Sequence, residues 1–267
     1  MANIINSGLS MLNSKLQIRS KKLRRLNAEQ IYEFTMGNKI KLEYSFSDDE
    51  YPKNRPIIFT KDKIEHEIQE IKNGKLGYYG VLDYHLMKAM KKYNKFIKNK
   101  EGLDVGSITG RYSAFALAYN ASKSYVLEYN SLESHHENVI PLTYDELKKH
   151  RKKFDFATSI SSFEHDGLGR YGDPIDPNGD IKAMKNLKKL LKPNGLLFLS
   201  VPVGKDKLVW NLHRIYGEVR FPRLIEGWEV LGSFGFNKSD LKINRDIIKQ
   251  PVFVLKNKNP MKNNKRF

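Results

Sequence analysis

The chain has 267 residues, no cysteine and a formal net charge of +17. That length can bury one ample core, and the missing cysteines exclude disulfides and thiolate zinc sites while fitting a reducing, cytoplasmic setting. No apolar run approaches the roughly eighteen residues of a membrane span, and the first residues lack a signal peptide's apolar core, so a soluble protein is expected.

The charge is unevenly placed. Six basic residues from Lys15 to Arg25 precede the first acid, Glu29, and six from Lys249 to Arg266 follow the last, Asp246. The middle is nearly balanced, which argues against a groove that tracks a phosphate backbone and makes nucleic acid an unlooked-for partner. Among the N-terminal basic residues, Leu9, Leu12, Leu16, Leu23 and Leu26 recur at nearly heptad spacing. They predict a basic amphipathic helix that packs on the domain, self-associates or rests on an anionic membrane surface.

Ile64, Ile68 and Ile71 predict a helix over 61–72, and residues 84–97 read as another. The loop Gly74-Lys75-Leu76-Gly77-Tyr78-Tyr79-Gly80 between them is either a lid or a surface turn with its aromatics tucked into the core. Residues 101–110, EGLDVGSITG, then read as a strand entering a tight glycine turn, residues 113–119 as an Ala-rich helix, and 124–128 as a strand ending in Glu128. Strand, glycine turn, helix, strand and terminal acid form a nucleotide-cofactor half-fold, in which glycines let the backbone approach the ligand and the acid holds the ribose hydroxyls. A dinucleotide fingerprint begun at Gly106 would require glycine at Ile108 and Arg111. The methyltransferase pattern acid-x-G-x-G-x-G is met at Asp104, Gly106 and Gly110 and departs only at Ile108, so S-adenosylmethionine fits better than NAD.

Residues 154–160 are a short apolar run that suits a strand covered on both faces. The Gly-, Pro- and Asp-rich residues 161–180 cannot continue a strand or a helix and form a long ordered loop. Asp180 is then expected to cap a helix carrying Ile181, Met184, Leu187 and Leu190, which Pro193-Asn194-Gly195 ends before a second buried strand over 196–202. Segments 207–217 and 221–228 bring His213, Arg214, Tyr216, Arg223, Trp210 and Trp228 toward the same edge, and 250–255 reads as a final strand. Asp173, Asp176, Asn178 and Asp180 invite a hard cation, but their order does not match an EF-hand loop, and Asx-turns and capping explain them without a ligand, so no metal site is assigned.

On the glycine turn and on the phrases SSFEHDGLGRYGDPIDPNGD (161–180), LFLSVPVG (197–204), NLHRIYG (211–217) and EGW (226–228), the chain resembles the class I S-adenosylmethionine-dependent methyltransferases. It more closely resembles an uncharacterised methyltransferase-like family of unknown function. The resemblance covers about residues 100–235. It implies a Rossmann-like α/β sheet, mostly parallel with an antiparallel last strand. A helical, basic extension and cap (1–99) would precede the methyltransferase-type domain (100–256), and a basic tail (257–267) would follow.

The resemblance places Asp104, Gly106 and Gly110 at the methionine end of the cofactor, Glu128 on the ribose, and Glu164 and His165 near the transferred methyl. His165 is the first candidate base, because an ordinary imidazole accepts a proton near neutral pH, with Asp166 and His213 as alternates. Arg170, Tyr171, Arg214 and Tyr216 are the candidate substrate contacts, and such loops fit a small or carbohydrate-like acceptor. Two other readings stay open: a non-methylating enzyme that uses these His and Asp groups, and a binding or scaffold protein without cofactor, for which the branched side chain of Ile108 is the discriminating residue.

Overall fold

The computed structural model describes residues 25–49, 55–149, 153–245 and 247–258. Apart from Arg25 and Leu26, the expected N-terminal amphipathic helix lies outside the described residues, as does most of the basic tail. The elements in chain order are α1 (Ala28–Phe34), β1 (Lys41–Ser45), β2 (Ile57–Phe59), α2 (Lys61–Lys72), α3 (Val81–Lys92), β3 (Glu101–Val105), α4 (Arg111–Ala118), β4 (Lys123–Leu127), β5 (Leu132–Ser134), β6 (Val139–Leu142), α5 (Tyr144–Lys149), β7 (Phe154–Ile160), α6 (Gly179–Leu190), β8 (Leu191–Ser200), β9 (Lys207–Asn211), β10 (His213–Ile215), α7 (Phe221–Leu224), β11 (Trp228–Phe234) and β12 (Val252–Asn257).

Seven strands form the central sheet in the order β11-β12-β8-β7-β3-β4-β6. Strands β6, β4, β3, β7 and β8 are mutually parallel, whereas β12 is antiparallel to both β8 and β11. This is the Rossmann-like, mostly parallel sheet expected from the sequence. Both faces are covered, as buried parallel strands require. Along β8, Leu196 and Phe198 join the core under α2, α3 and α4, while Leu197 and Leu199 join the core under α6 and α7. Helix α2 matches its predicted span and is capped by the side chain of Thr60. Its Ile64, Ile68 and Ile71 stripe is buried in the core on the α4 side of the sheet.

Two regions differ from expectation. Residues 207–215, read only as a site-bearing segment, form the β9-β10 hairpin, to which β1 from the N-terminal region adds in parallel. The N-terminal region is therefore not wholly helical: β1 completes this small sheet and β2 pairs with β5. Strand β11 also went unread, because 228–234 alternates poorly and carries Gly232 at an irregularity in its pairing with β12. No helix among the described residues is long and apolar enough to cross a membrane.

The strand order fixes where a site can lie. From β3 the chain passes to β4 on one side and returns to β7 on the other, so the loops leaving β3, β4 and β7 diverge above one sheet edge. Val105 pairs with Leu127 and Ser159, which brings the ends of the three strands level.

Candidate functional site

A cavity of about 1430 Å³ opens above those strand ends. The turn Gly106 to Thr109, the β4 end at Glu128, the post-β7 segment from Ser161 to Gly167, and Arg170, Tyr171 and His213 all line it. Gly106 has φ +77°, and its amide donates to Leu127 O at 2.9 Å, which sets Glu128 beside the turn. A Cβ at Gly106 would collide with the side chain of Ser162, so the post-β7 segment packs directly on the turn. Ile108 lines the cavity with 42% of its surface exposed, and the cavity stands open beside it.

Glu128 accepts hydrogen bonds through Oε1 from the amides of Tyr129 (2.9 Å) and Asn130 (3.2 Å) and from Asn130 Nδ2 (2.9 Å). Burial raises its carboxyl above the usual range despite them. Glu164 is 1% exposed. Its Oε1 accepts from Ser161 Oγ at 2.8 Å and from Gln250 Nε2 at 3.3 Å, while its buried Oε2 has no partner. Burial pushes this carboxyl up to about 7. His165 donates Nδ1–H to Leu212 O at 2.6 Å, because a carbonyl can only accept. Its bare Nε2 lies 3.8 Å from Glu164 Oε1. Burial drives His165 down to about 3, so the expectation of an ordinary imidazole that takes up a proton near neutrality is corrected: the ring is neutral and a weak base. Asp166 is pushed well above its usual value by burial and by the charge of Asp173. Burial and neighbouring Arg170 lower His213.

Four predicted site residues stand behind the wall instead of in it. Asp104 is buried between strands, where its carboxyl accepts from Ser113 Oγ (2.9 Å) and Thr158 Oγ1 (3.3 Å) and burial pushes it up to about 7. It ties β3 to α4 and β7 and does not line the cavity. Gly110 precedes α4 in the left-handed region, and a Cβ there would lie 2.7 Å from Ile64 Cδ1. Its smallness serves the packing of α2, not a ligand. Arg214 and Tyr216, expected to meet substrate, are buried and hold the loop from below. Arg214 Nη1 donates to Asp166 O at 2.6 Å, and Tyr216 OH donates to Asp180 Oδ2 at 3.0 Å.

The acids of the loop are spent separately. Asp173 Oδ2 accepts from the amides of Gly167 (2.7 Å) and Gly169 (3.2 Å), and Asp176 pairs with Lys182 at 2.5 Å. Asp180 is not the helix cap: α6 starts at Gly179, and Asp180 receives Arg220 through two nitrogens at 2.9 and 2.6 Å.

Arg170 and Tyr171 do line the cavity. Arg170 Nε donates to Asp49 Oδ2 at 2.6 Å and its guanidinium lies 5.0 Å from the centre of the Tyr171 ring. The 74–80 loop also faces the cavity, through exposed Tyr78 and Tyr79 and not through a core-tucked pair. Its tether was missed in the sequence: Arg111, at the start of α4, bonds Asp83 (Nε, 2.9 Å) and Glu67, and Asp83 in turn accepts from Gly77 N at 2.7 Å. Arg220 and Gln250 were also missed, since their partners lie 40 and 86 positions away and leave no local pattern.

The family model described as Caenorhabditis protein of unknown function, DUF268, matches residues 99–262, and the chain belongs to that family. No functionally curated protein matches the sequence. Among solved structures, the Burkholderia thailandensis 1,6-didemethyltoxoflavin-N1-methyltransferase with bound 1,6-didemethyltoxoflavin and S-adenosylhomocysteine is 14% identical, with 73% of this chain and 87% of that one covered at a TM-score of 0.46. TehB from Haemophilus influenzae is 15% identical, with 72% and 67% covered at 0.46. A protein of Streptococcus thermophilus designated a hemolysin is 15% identical, with 66% of this chain covered at 0.43, and this chain spans 65% of its length.

Proposed function

We propose that the chain is an S-adenosylmethionine-dependent methyltransferase that acts in the cytoplasm on a small hydroxylated, carbohydrate-like acceptor. One observation carries the reading: the Gly106 turn, the terminal acid Glu128 and the His165 segment line a single cavity at the point where the strand order reverses. The residues present suit that cofactor. Gly106 makes a tight turn at the cavity wall, Glu128 stands beside that turn as a ribose ligand should, and Glu164 Oε2 and Tyr112 OH belong to cavity-lining residues and are buried without partners.

When bound, the cofactor supplies an electrophilic methyl group for in-line displacement. The protein's share is alignment, exclusion of water and care of the acceptor's proton. Tyr78 and Tyr79 flank the cavity on a loop braced by Arg111 and Asp83. His165 keeps its own proton on Nδ1 and presents Nε2 as an acceptor that orients a hydroxyl. Arg170, Tyr171 and His213 line the wall where an uncharged polyol finds both donors and ring faces.

Titration calorimetry with S-adenosylmethionine and S-adenosylhomocysteine tests the reading. The wild-type chain is expected to bind both, and Glu128→Ala to lose at least tenfold in affinity with its thermal unfolding little changed. No heat from the wild type at millimolar ligand would end the proposal.

A further inference from the structure

Tyr78, Val81, Ile108, Ile247 and Ile248 line the cavity yet keep 94, 68, 42, 84 and 48% of their surface exposed, so they stand at its mouth. They come from three segments: the 74–80 loop with the start of α3, the turn after β3, and the loop before β12. The first and third lie side by side, because α3 packs on β12 and the charges of Lys88 and Lys249 both act on His85, which lines the cavity too. Scattered exposed apolar residues need no explanation, but a group of them at one cavity mouth marks a surface that something covers.

Charge says what covers it. Residues 74–92 carry Lys75, Lys88, Lys91 and Lys92 against one acid, Asp83. Residues 238–249 carry Lys238, Lys242, Arg245 and Lys249 against Asp240 and Asp246. Asp83 is wholly buried on Arg111 and Gly77, and Asp240 is buried beneath Arg245 and Lys249. The outer surface of both segments is therefore mainly cationic and fits an anionic partner. Lys88 Nζ lies 4.5 Å from the centre of the half-exposed Tyr84 ring, which adds a second side chain with an apolar body and a polar tip. Isoleucine and valine among lysine and tyrosine suit the boundary of a bilayer, where apolar parts sink below the head groups and polar tips stay level with them. A protein partner would need a relief matched to three separate segments, whereas a bilayer needs none.

We propose that the rim of the cavity docks on an anionic lipid membrane. Tyr78, Val81, Ile247 and Ile248 enter the head-group boundary, the lysines of α3 and of the 238–249 segment are held by acidic lipids, and the cavity opens onto the membrane surface. This contact is separate from the one expected of the basic N-terminal segment. It goes beyond the methyltransferase reading and does not depend on it, because docking requires no cofactor.

Vesicle sedimentation of the full chain tests the surface. Wild type is expected to sediment with phosphatidylcholine vesicles that contain about a third phosphatidylserine, and about tenfold less with phosphatidylcholine alone. Raising the salt from about 0.05 to about 0.5 M should release it. The chain has no cysteine, so a single Ile247→Cys carries an environment-sensitive dye at a known place. That dye should shift to the blue on vesicles, and one at Tyr32→Cys on α1 should not. Tyr78→Ser combined with Ile247→Ser should lower partitioning about tenfold with thermal unfolding unchanged, since both side chains are almost wholly exposed. A chain that ignores acidic vesicles overturns the proposal. So does binding in which the dye at 247 stays in water and the double variant matches wild type, which would assign the contact to the N-terminal bases. A dye that is shielded without vesicles, as the chain dimerises, assigns the rim to a second copy and also overturns it. If vesicles are bound and S-adenosylmethionine is not, the methyltransferase reading falls and this inference stands.

Discussion

Two buried acids on one loop system are treated in opposite ways. Asp180 is fully buried, yet burial is outweighed by the charges of Arg214 and Arg220 and by hydrogen bonds from Arg220 and Tyr216, which hold its carboxyl below the usual range. Glu164 is as deeply buried, receives only neutral donors on one oxygen and none on the other, and is pushed up to about 7. A charge whose partners are built in is held ionised and serves the scaffold; a carboxyl buried with one oxygen unsatisfied is held protonated instead. The Asp180 cluster fixes the floor, and the Glu164 segment rests on that floor through the Arg214 bond to Asp166 O.

The largest effect belongs to the floor. Asp180→Asn leaves Arg220 buried without its counter-charge and is expected to cost about 3–5 kcal/mol in urea unfolding. A cost under about 1 kcal/mol would erase the contrast. Glu164→Gln is expected to do the reverse, and only at higher pH. The folded carboxyl titrates at about 7 against a reference value of 4.5, so the stability it contributes is complete below about pH 4.5 and is lost as pH rises through 7. The glutamine variant mimics the protonated form. It should match wild type near pH 4 and exceed it by about 3 kcal/mol at pH 8. Parallel stability curves for the two proteins across that range would show that Glu164 is not the strained member of the pair.

Much of this arrangement is legible in the amino-acid sequence, for a physical reason. Short apolar runs at 154–160 and 196–202, the Ile64-Ile68-Ile71 stripe and the Gly106 turn are local patterns, although β8 starts earlier than read, at Leu191, and runs through Pro193-Asn194-Gly195 to Ser200. The cavity's occupants at Gly106, Glu128, Glu164 and His165 follow from that, because strand ends in such a sheet are where loops meet. What stayed hidden is long-range. Asp104 and Glu164 look alike as sequence, and only the fold sends one between strands to Ser113 and Thr158 and the other to the cavity wall. Arg214 and Tyr216 alternate with His213 and Ile215 along β10 and the residue that follows it, so a strand read as a loop puts the inward-facing residues on the wrong side. The depressed basicity of His165 arises from burial, which no neighbouring residue in the chain announces.

The smallest expected effect on stability tests whether the two regions are independent. Gly106→Ala puts a Cβ into Ser162 and a side chain at φ +77°, at a cost of roughly 1–2 kcal/mol. That pressure falls on the segment leading to Glu164 and leaves the Arg220 pairing to Asp180 untouched. Binding of S-adenosylhomocysteine should therefore weaken by tenfold or more while the fold persists. Adding Ser162→Gly removes the collision but not the backbone strain, so affinity should return in part and stability hardly at all. If the double variant regained neither, the turn itself, and not the segment packed on it, would be what the ligand reads.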